Sequence, residues 1–163
     1  MPLYFAYGSN MDRGAMAARC PRSKVVAVAR LAHHRFAIVA AGYASALTHP
    51  SRSVWGLLWD LALADVATLD RYEDIAAGLY VKTTQPVLTA AGAKRALIYL
   101  ARDGHAGVPR PGYLEGVVVA AREAGLPGDY VREIESMLPT TQGRREQRSR
   151  GWPASSVQAA LAD

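Results

Sequence analysis

Tyr4-Phe5-Ala6-Tyr7-Gly8-Ser9-Asn10-Met11 carries the chain from an apolar strand directly into a small polar turn. Leu3, Phe5 and Tyr7 can alternate as one face of a strand, and Gly8-Ser9-Asn10 are turn formers standing just before Asp12, a side chain suited to capping a helix. Such a corner leaves successive backbone N–H groups without strand partners. Gly8 has no Cβ to keep a bound group away, and consecutive amides near a helix start form a concavity suited to a carboxylate or an oxyanion. Read from these residues alone, the corner reads first as a plain connection between strand and helix, since Gly-Ser-Asn is common turn chemistry.

Working outward, residues 12–19 have the pattern of a short helix, with Asp12 as N-cap, Met11 and Met16 turned inward and Cys20-Pro21 closing it. Residues 24–30 and 31–40 are rich in strand formers and read as two strands or as one long bent strand. Gly42, Ser45, His49, Pro50 and Ser51 mark residues 41–53 as a loop, a candidate pocket rim. Residues 54–61 form an apolar run broken by Gly56, which predicts a buried strand that another backbone or a ligand approaches closely. From Ala64 the apolar period becomes helical, and this helix presents Glu73-Asp74 at its far end. Residues 79–88 and 94–100 predict a hairpin around Gly92, followed by a glycine- and proline-rich loop over 102–111 with Tyr113 at its exit. Two helices follow, the first stopped by Gly125-Leu126-Pro127 and the second starting at Asp129. Strands interrupted and followed by helices, without βα alternation, predict an α+β fold.

A chain of 163 residues, half of them apolar and a fifth charged, fits one globular domain. We assign that domain to residues 1–139 and a basic C-terminal extension to 140–163. No run of about 18 apolar residues is present to cross a membrane, and the first residues lack the basic start and cleavage site of a secretory signal, so a cytoplasmic location is expected. Cys20 is the only cysteine, which excludes an internal disulfide and a CxxC metal or redox motif. The net charge of +5 owes much to Arg144, Arg145, Arg148 and Arg150, a run without interleaved aromatics that reads as a solvated tail and argues against a nucleic-acid partner. Ser9 with His33, His34, His49 or His105 makes a serine hydrolase formally possible, but Tyr-Gly-Ser-Asn lacks the second glycine of a Gly-x-Ser-x-Gly elbow and no histidine has a recognisable partner spacing. The same histidines lack metal-ligand spacing, so neither a metal nor a cofactor is expected. Adjacent in a strand, His33 and His34 would face opposite ways, one at a rim and one packed.

Four features stand in an order that resembles the γ-glutamylcyclotransferase-like (AIG2-like) family. They are YGSN near the start, VWGLLWDL over 54–61, LDRYED over 69–74 followed by Gly78-Leu79-Tyr80, and PRPGY over 109–113 leading into a helix that ends GLP. Together they span most of residues 3–138. The resemblance implies a small, twisted, partly closed mixed β-barrel with flanking helices. It also implies an enzyme that cyclises a γ-glutamyl group to 5-oxoproline and releases an amine or amino acid, with a small γ-glutamyl molecule as partner. Glu73, in the family's Leu-Asp-x-x-Glu pattern, is then the general base and afterwards the acid. The backbone amides of Gly8, Ser9 and Asn10 become the cradle, and Tyr7, Tyr80 and Tyr113 line or close the pocket. A carboxylate at a helix C-terminus meets unfavourable dipole charge, and burial adds desolvation; both raise its proton affinity. Asp74 stands where members often have glycine and sets a second negative charge beside Glu73. The leaving group and the oligomeric state stay open. The competing reading is a non-catalytic protein that binds γ-glutamyl-like molecules and uses its basic tail for acidic partners.

Overall fold

The structure is a computed structural model that describes residues 2–73 and 77–140. Asp74, and the extension expected from residue 140 apart from Thr140 itself, lie outside the described residues. Strand β1 (Leu3–Ala6) leads through Tyr7-Gly8 into a 3₁₀ turn, Ser9–Met11, and then into helix α1 (Arg13–Arg19). Asp12 caps α1 as expected, its carboxylate accepting from the Ala15 N–H at 2.9 Å. Tyr4, Phe5 and Ala6 are all buried, so β1 hides both faces, and Met11 and Met16 are turned inward.

Strand β2 (Lys24–Ile38) is a single long strand, one of the two readings the sequence allowed, and it pairs with β3 (Ala44–Asp60) from Lys24↔Asp60 to Ile38↔Ala44. The loop expected over 41–53 is therefore corrected: only the turn around Gly42 (φ 86°) separates the strands. His49, Pro50 and Ser51 belong to β3, in a bulge between the pairs His34↔Thr48 and Ala32↔Ser53. At a bulge the ladder asks no N–H of a proline, so residue types that signal a loop sit inside a strand here. His33, opposite them, takes φ 59° and is exposed, while His34 is packed.

Helix α2 (Leu63–Tyr72) is followed by the hairpin of β4 (Tyr80–Thr89) and β5 (Gly92–Ala101), turned at Gly92 with φ 104°. Helices α3 (Tyr113–Glu123) and α4 (Gly128–Glu135) complete the described chain. Leu114, Val117, Val118 and Ala121 of α3 are buried at helix spacing.

The strands close into a barrel in the order β1-β3-β2-β4-β5. Every pairing is antiparallel except β1 with β5, so the barrel is mixed. Its seams between β2 and β4 and between β1 and β5 are narrow, with the registered pairs Arg30↔Leu88 and Tyr4↔Leu97. This closure brings the exit of β1, the start of β3, the start of β4 and the end of β5 to one mouth, where Ser45 Oγ accepts from the Ala101 N–H at 3.0 Å. Helix α3 lies against the 3₁₀ turn at that mouth. No helix among the described residues is long and apolar enough to cross a membrane.

Candidate active site

A cavity at the barrel mouth is lined by Tyr4, Tyr7, Gly8, Ser9, Asn10, Ala44, Glu73, Tyr80, Tyr99 and Tyr113. Its empty space, counted out into open solvent, is about 320 Å³. All seven residues singled out from the sequence, Tyr7, Gly8, Ser9, Asn10, Glu73, Tyr80 and Tyr113, are among those that line it.

Glu73 caps the C-terminal end of α2, its N–H bonded to the Leu69 carbonyl at 2.8 Å. Its Oε1 accepts from Asn10 Nδ2 at 3.3 Å. Burial pushes the Glu73 carboxyl up to about 8, and the positive charge of Arg19 holds it from rising further. A carboxyl group in that range can lose and regain a proton near neutral pH.

The 3₁₀ turn engages its Met11 N–H with the Gly8 carbonyl and the Asp12 N–H with the Ser9 carbonyl, both at 3.1 Å. Among the described residues no protein acceptor is bonded to the N–H of Gly8 or Asn10. Ser9 Oγ is hydrogen-bonded to the Tyr72 hydroxyl at 2.8 Å. No histidine lines the cavity, so the pairing a serine hydrolase needs is missing. Cys20 is buried beside Asp65, and burial raises its thiol to about 11, which leaves it unreactive.

The tyrosines are held by backbone partners. Tyr7 donates to the Tyr99 carbonyl at 2.5 Å and Tyr80 to the Ala44 carbonyl at 2.7 Å, while the Tyr113 oxygen accepts from the Ala44 N–H at 3.3 Å. Burial raises all three phenols, so each stays neutral and works as a hydrogen-bonding wall. Beyond Ser9 and Tyr113 lies a second, wider hollow open to solvent, which also meets Asp12, Arg19, Tyr43 and Arg110.

Comparison with known proteins gives this geometry a family. The model of the AIG2-like family matches residues 53–134, half of the chain, a span that holds Glu73, Tyr80 and Tyr113. The chain belongs to the AIG2-like family. Curated γ-glutamylcyclotransferases of Mus musculus and Homo sapiens are each 28% identical to it over 148 residues, covering 84% of this chain and 79% of theirs. A solved structure named gamma-glutamyl cyclotransferase superposes with a TM-score of 0.80 at 24% identity, covering 99% of this chain and 98% of that one. That likeness shows that the AIG2-like chain shares its fold.

Sequence reasoning missed several residues of this site. Tyr4 reads as a strand residue turned away from the cavity, because alternation from Leu3 leaves it on the other face, yet β1 is buried on both. Tyr99 reaches the cavity from β5 and donates to Asp70 at 2.6 Å. Arg19, Tyr43, Ala44 and Arg110 come from a helix end, a turn, a strand start and a loop, with no shared spacing to announce them.

Proposed function

We propose that this AIG2-like chain cyclises γ-glutamyl compounds to 5-oxoproline, with Glu73 as the proton carrier. The observation that carries the reading is the Glu73 carboxyl, its proton affinity raised by burial, in one small cavity with the Gly8-Ser9-Asn10 corner. The names of the curated relatives supply the reaction class.

In this reading the α-ammonium of the glutamyl unit lies beside Glu73 and gives it a proton. The freed nitrogen attacks the γ-carbonyl of the same molecule, the carbon–nitrogen bond to the departing group breaks, and a five-membered lactam forms. Of the three ammonium protons, one stays on the ring nitrogen and two reach the departing nitrogen, which leaves as an ammonium group. Glu73 carries them in turn and ends as it began, so the reaction consumes no water and needs no covalent enzyme intermediate. Holding attacker and target in the ring-closing conformation removes several kcal/mol of barrier. The amides of Gly8, Ser9 and Asn10 hold the glutamyl carboxylate or the developing oxyanion, a donor of this kind supplying roughly 3–4 kcal/mol. Tyr7, Tyr80 and Tyr113 shape the ring-closing space, and the departing group occupies the wider hollow. A cytoplasmic site of action belongs to the same proposal.

The test is release of 5-oxoproline from a panel of γ-glutamyl amines, γ-glutamyl dipeptides and glutathione. Release from at least one class is expected, with kcat/KM rising as pH passes about 8, because the free carboxyl must be ionised to take the proton. Binding across the panel without any release would instead assign a ligand-binding role.

The backbone cradle predicts an order of damage. A Cβ at Gly8 would stand 3.0 Å from the Tyr113 hydroxyl oxygen, so Gly8→Val forces apart the two walls of the cavity. Ser9→Ala removes one hydrogen bond to Tyr72, worth about 1 kcal/mol, and keeps the amides. Gly8→Val is expected to lower kcat/KM far more than Ser9→Ala; equal tolerance of both rejects the cradle.

A further inference from the structure

The Asn10 side chain is constrained beyond what lining a cavity requires. The residue as a whole is 2% exposed. Oδ1 accepts from Arg19 Nη1 at 2.5 Å, and Nδ2 donates to the Tyr4 hydroxyl at 3.1 Å and to Glu73 Oε1 at 3.3 Å. A primary amide has nearly the same shape either way round, so its direction must be set by its partners. Arginine has donors only. The amide oxygen must therefore face Arg19, and the NH2 must face the carboxyl group.

Arg19 is itself fixed from behind. Its guanidinium carbon lies 3.9 Å from the centre of the Tyr72 ring, and the Tyr72 hydroxyl is bonded to Ser9. Arg19 at the end of α1, Tyr72 and Glu73 at the end of α2, and Ser9 and Asn10 in the turn thus form one connected circuit. The other titratable groups acting with Glu73 are Tyr4 and Tyr7 from β1 and its exit, Tyr72 from α2, Tyr80 from β4, Tyr99 from β5 and Tyr113 from α3. Burial raises all six phenols, so they are uncharged near neutral pH. Asp70, one turn back on α2, is engaged by Lys82 and Tyr99. Arg19 is the full charge that acts on Glu73 among the described residues.

We propose that Arg19 is a positioning residue: by fixing the direction of the Asn10 amide it holds the Glu73 carboxyl in the orientation that accepts and returns a proton, an inference that rests on the cyclisation reading. Without it the amide can turn its oxygen toward the carboxylate, which repels the ionised form and misaligns the base.

Two measurements on Arg19→Met and Arg19→Lys test this. The first is the pH dependence of kcat and KM for 5-oxoproline release. The second is the titration of the Glu73 side-chain carboxyl by carbon-13 NMR, assigned with Glu73→Gln, which does not require turnover. Arg19→Met is expected to lower kcat about a hundredfold, as misplacement of a reacting group does, with a much smaller change in KM. Its carboxyl titration and the rising limb of its rate profile both move to higher pH. Arg19→Lys, which keeps a donor and the charge, recovers most of both. An unmoved titration in Arg19→Met overturns the proposal, and so does a rise in KM alone, which would make Arg19 a substrate contact. If Arg19→Met does not fold, Arg19→Leu carries the same test, since it too removes both the donor and the charge; an unmoved titration there overturns the proposal equally. Absence of turnover by the wild type defeats the cyclisation reading, whereas the carboxyl titration still decides whether Arg19 governs Glu73.

Discussion

Glu73→Gln is expected to lose about a thousandfold or more of its turnover, within the range that positioned acid–base groups supply, while gaining stability at alkaline pH. The loss follows because glutamine has the size of a glutamic acid and can accept from Asn10, yet cannot carry a proton between two nitrogens. Substrate affinity is expected to survive, since the amides and tyrosines of the cavity are untouched. The gain has its own physical cause. The Glu73 carboxyl rises from 4.5 to about 8 because burial penalises its ionised form. Between those values the folded protein holds a proton that the unfolded chain has released, so stability falls as pH rises through this window and levels off above about 8. At about 1.4 kcal/mol per unit, a shift of this size places a few kcal/mol of destabilisation on the ionised wild type. The variant is neutral at every pH and escapes it. Thermal melts below pH 4.5 and above pH 8 should show Glu73→Gln above the wild type on the alkaline side, with the gap closed in acid. Wild-type turnover in the variant would remove Glu73 from the mechanism. Equal melting at alkaline pH would show that the carboxyl is not buried at a cost.

Gly56→Ala is expected to be the most damaging small substitution in the barrel. A Cβ at Gly56 would stand 2.2 Å from the Ala6 carbonyl oxygen and 2.9 Å from its carbon, with Phe5 Cε2 at 3.0 Å. The obstacle is backbone, so no rotamer change relieves it. Either β3 bends or the end of β1 moves, and both are held in a closed ring of strands. Overpacking of this kind costs about 3 kcal/mol or more, which for a chain of this size lowers Tm by roughly 6–12 °C. Ala6 stands two residues before Gly8, so a displaced β1 also carries the cradle away from Glu73 and activity falls with stability. Gly116→Ala is the matched control. A Cβ there meets nothing within 4 Å and the site lies inside α3, so alanine should stabilise by about 0.5–1 kcal/mol. Melts of the two variants should move in opposite directions; a neutral Gly56→Ala would mean that β1 is not held where the barrel puts it.

Most elements were legible because they rest on local rules. Asp12 before a helical run, Gly92 between two strand-forming segments, and Gly125-Leu126-Pro127 after an apolar stripe each act within a few residues, and each took its expected place. Where residue type and tertiary pairing disagreed, pairing prevailed. His49, Pro50 and Ser51 read as a loop, yet the long β2 partner keeps them in β3 as a bulge. The site was half legible for the same reason. Glu73 and the Gly8-Ser9-Asn10 corner belong to contiguous motifs, whereas Arg19, Tyr43, Ala44, Tyr99 and Arg110 become site residues only when separate elements meet.

By itself the amino-acid order determined the α+β class, the strand-to-turn corner at Gly8 and a helix that ends in a carboxylate, because each depends on periodicity or on the conformational limits of adjacent residues. Only the tertiary structure decided that Glu73, 63 positions along the chain from Asn10, returns to within 3.3 Å of it. It also decided that this carboxyl is buried enough to hold its proton to about pH 8, and that Arg19 turns the amide between them. Proton affinity and hydrogen-bond direction are properties of a surrounding, and the surrounding of Glu73 exists only once the barrel has closed.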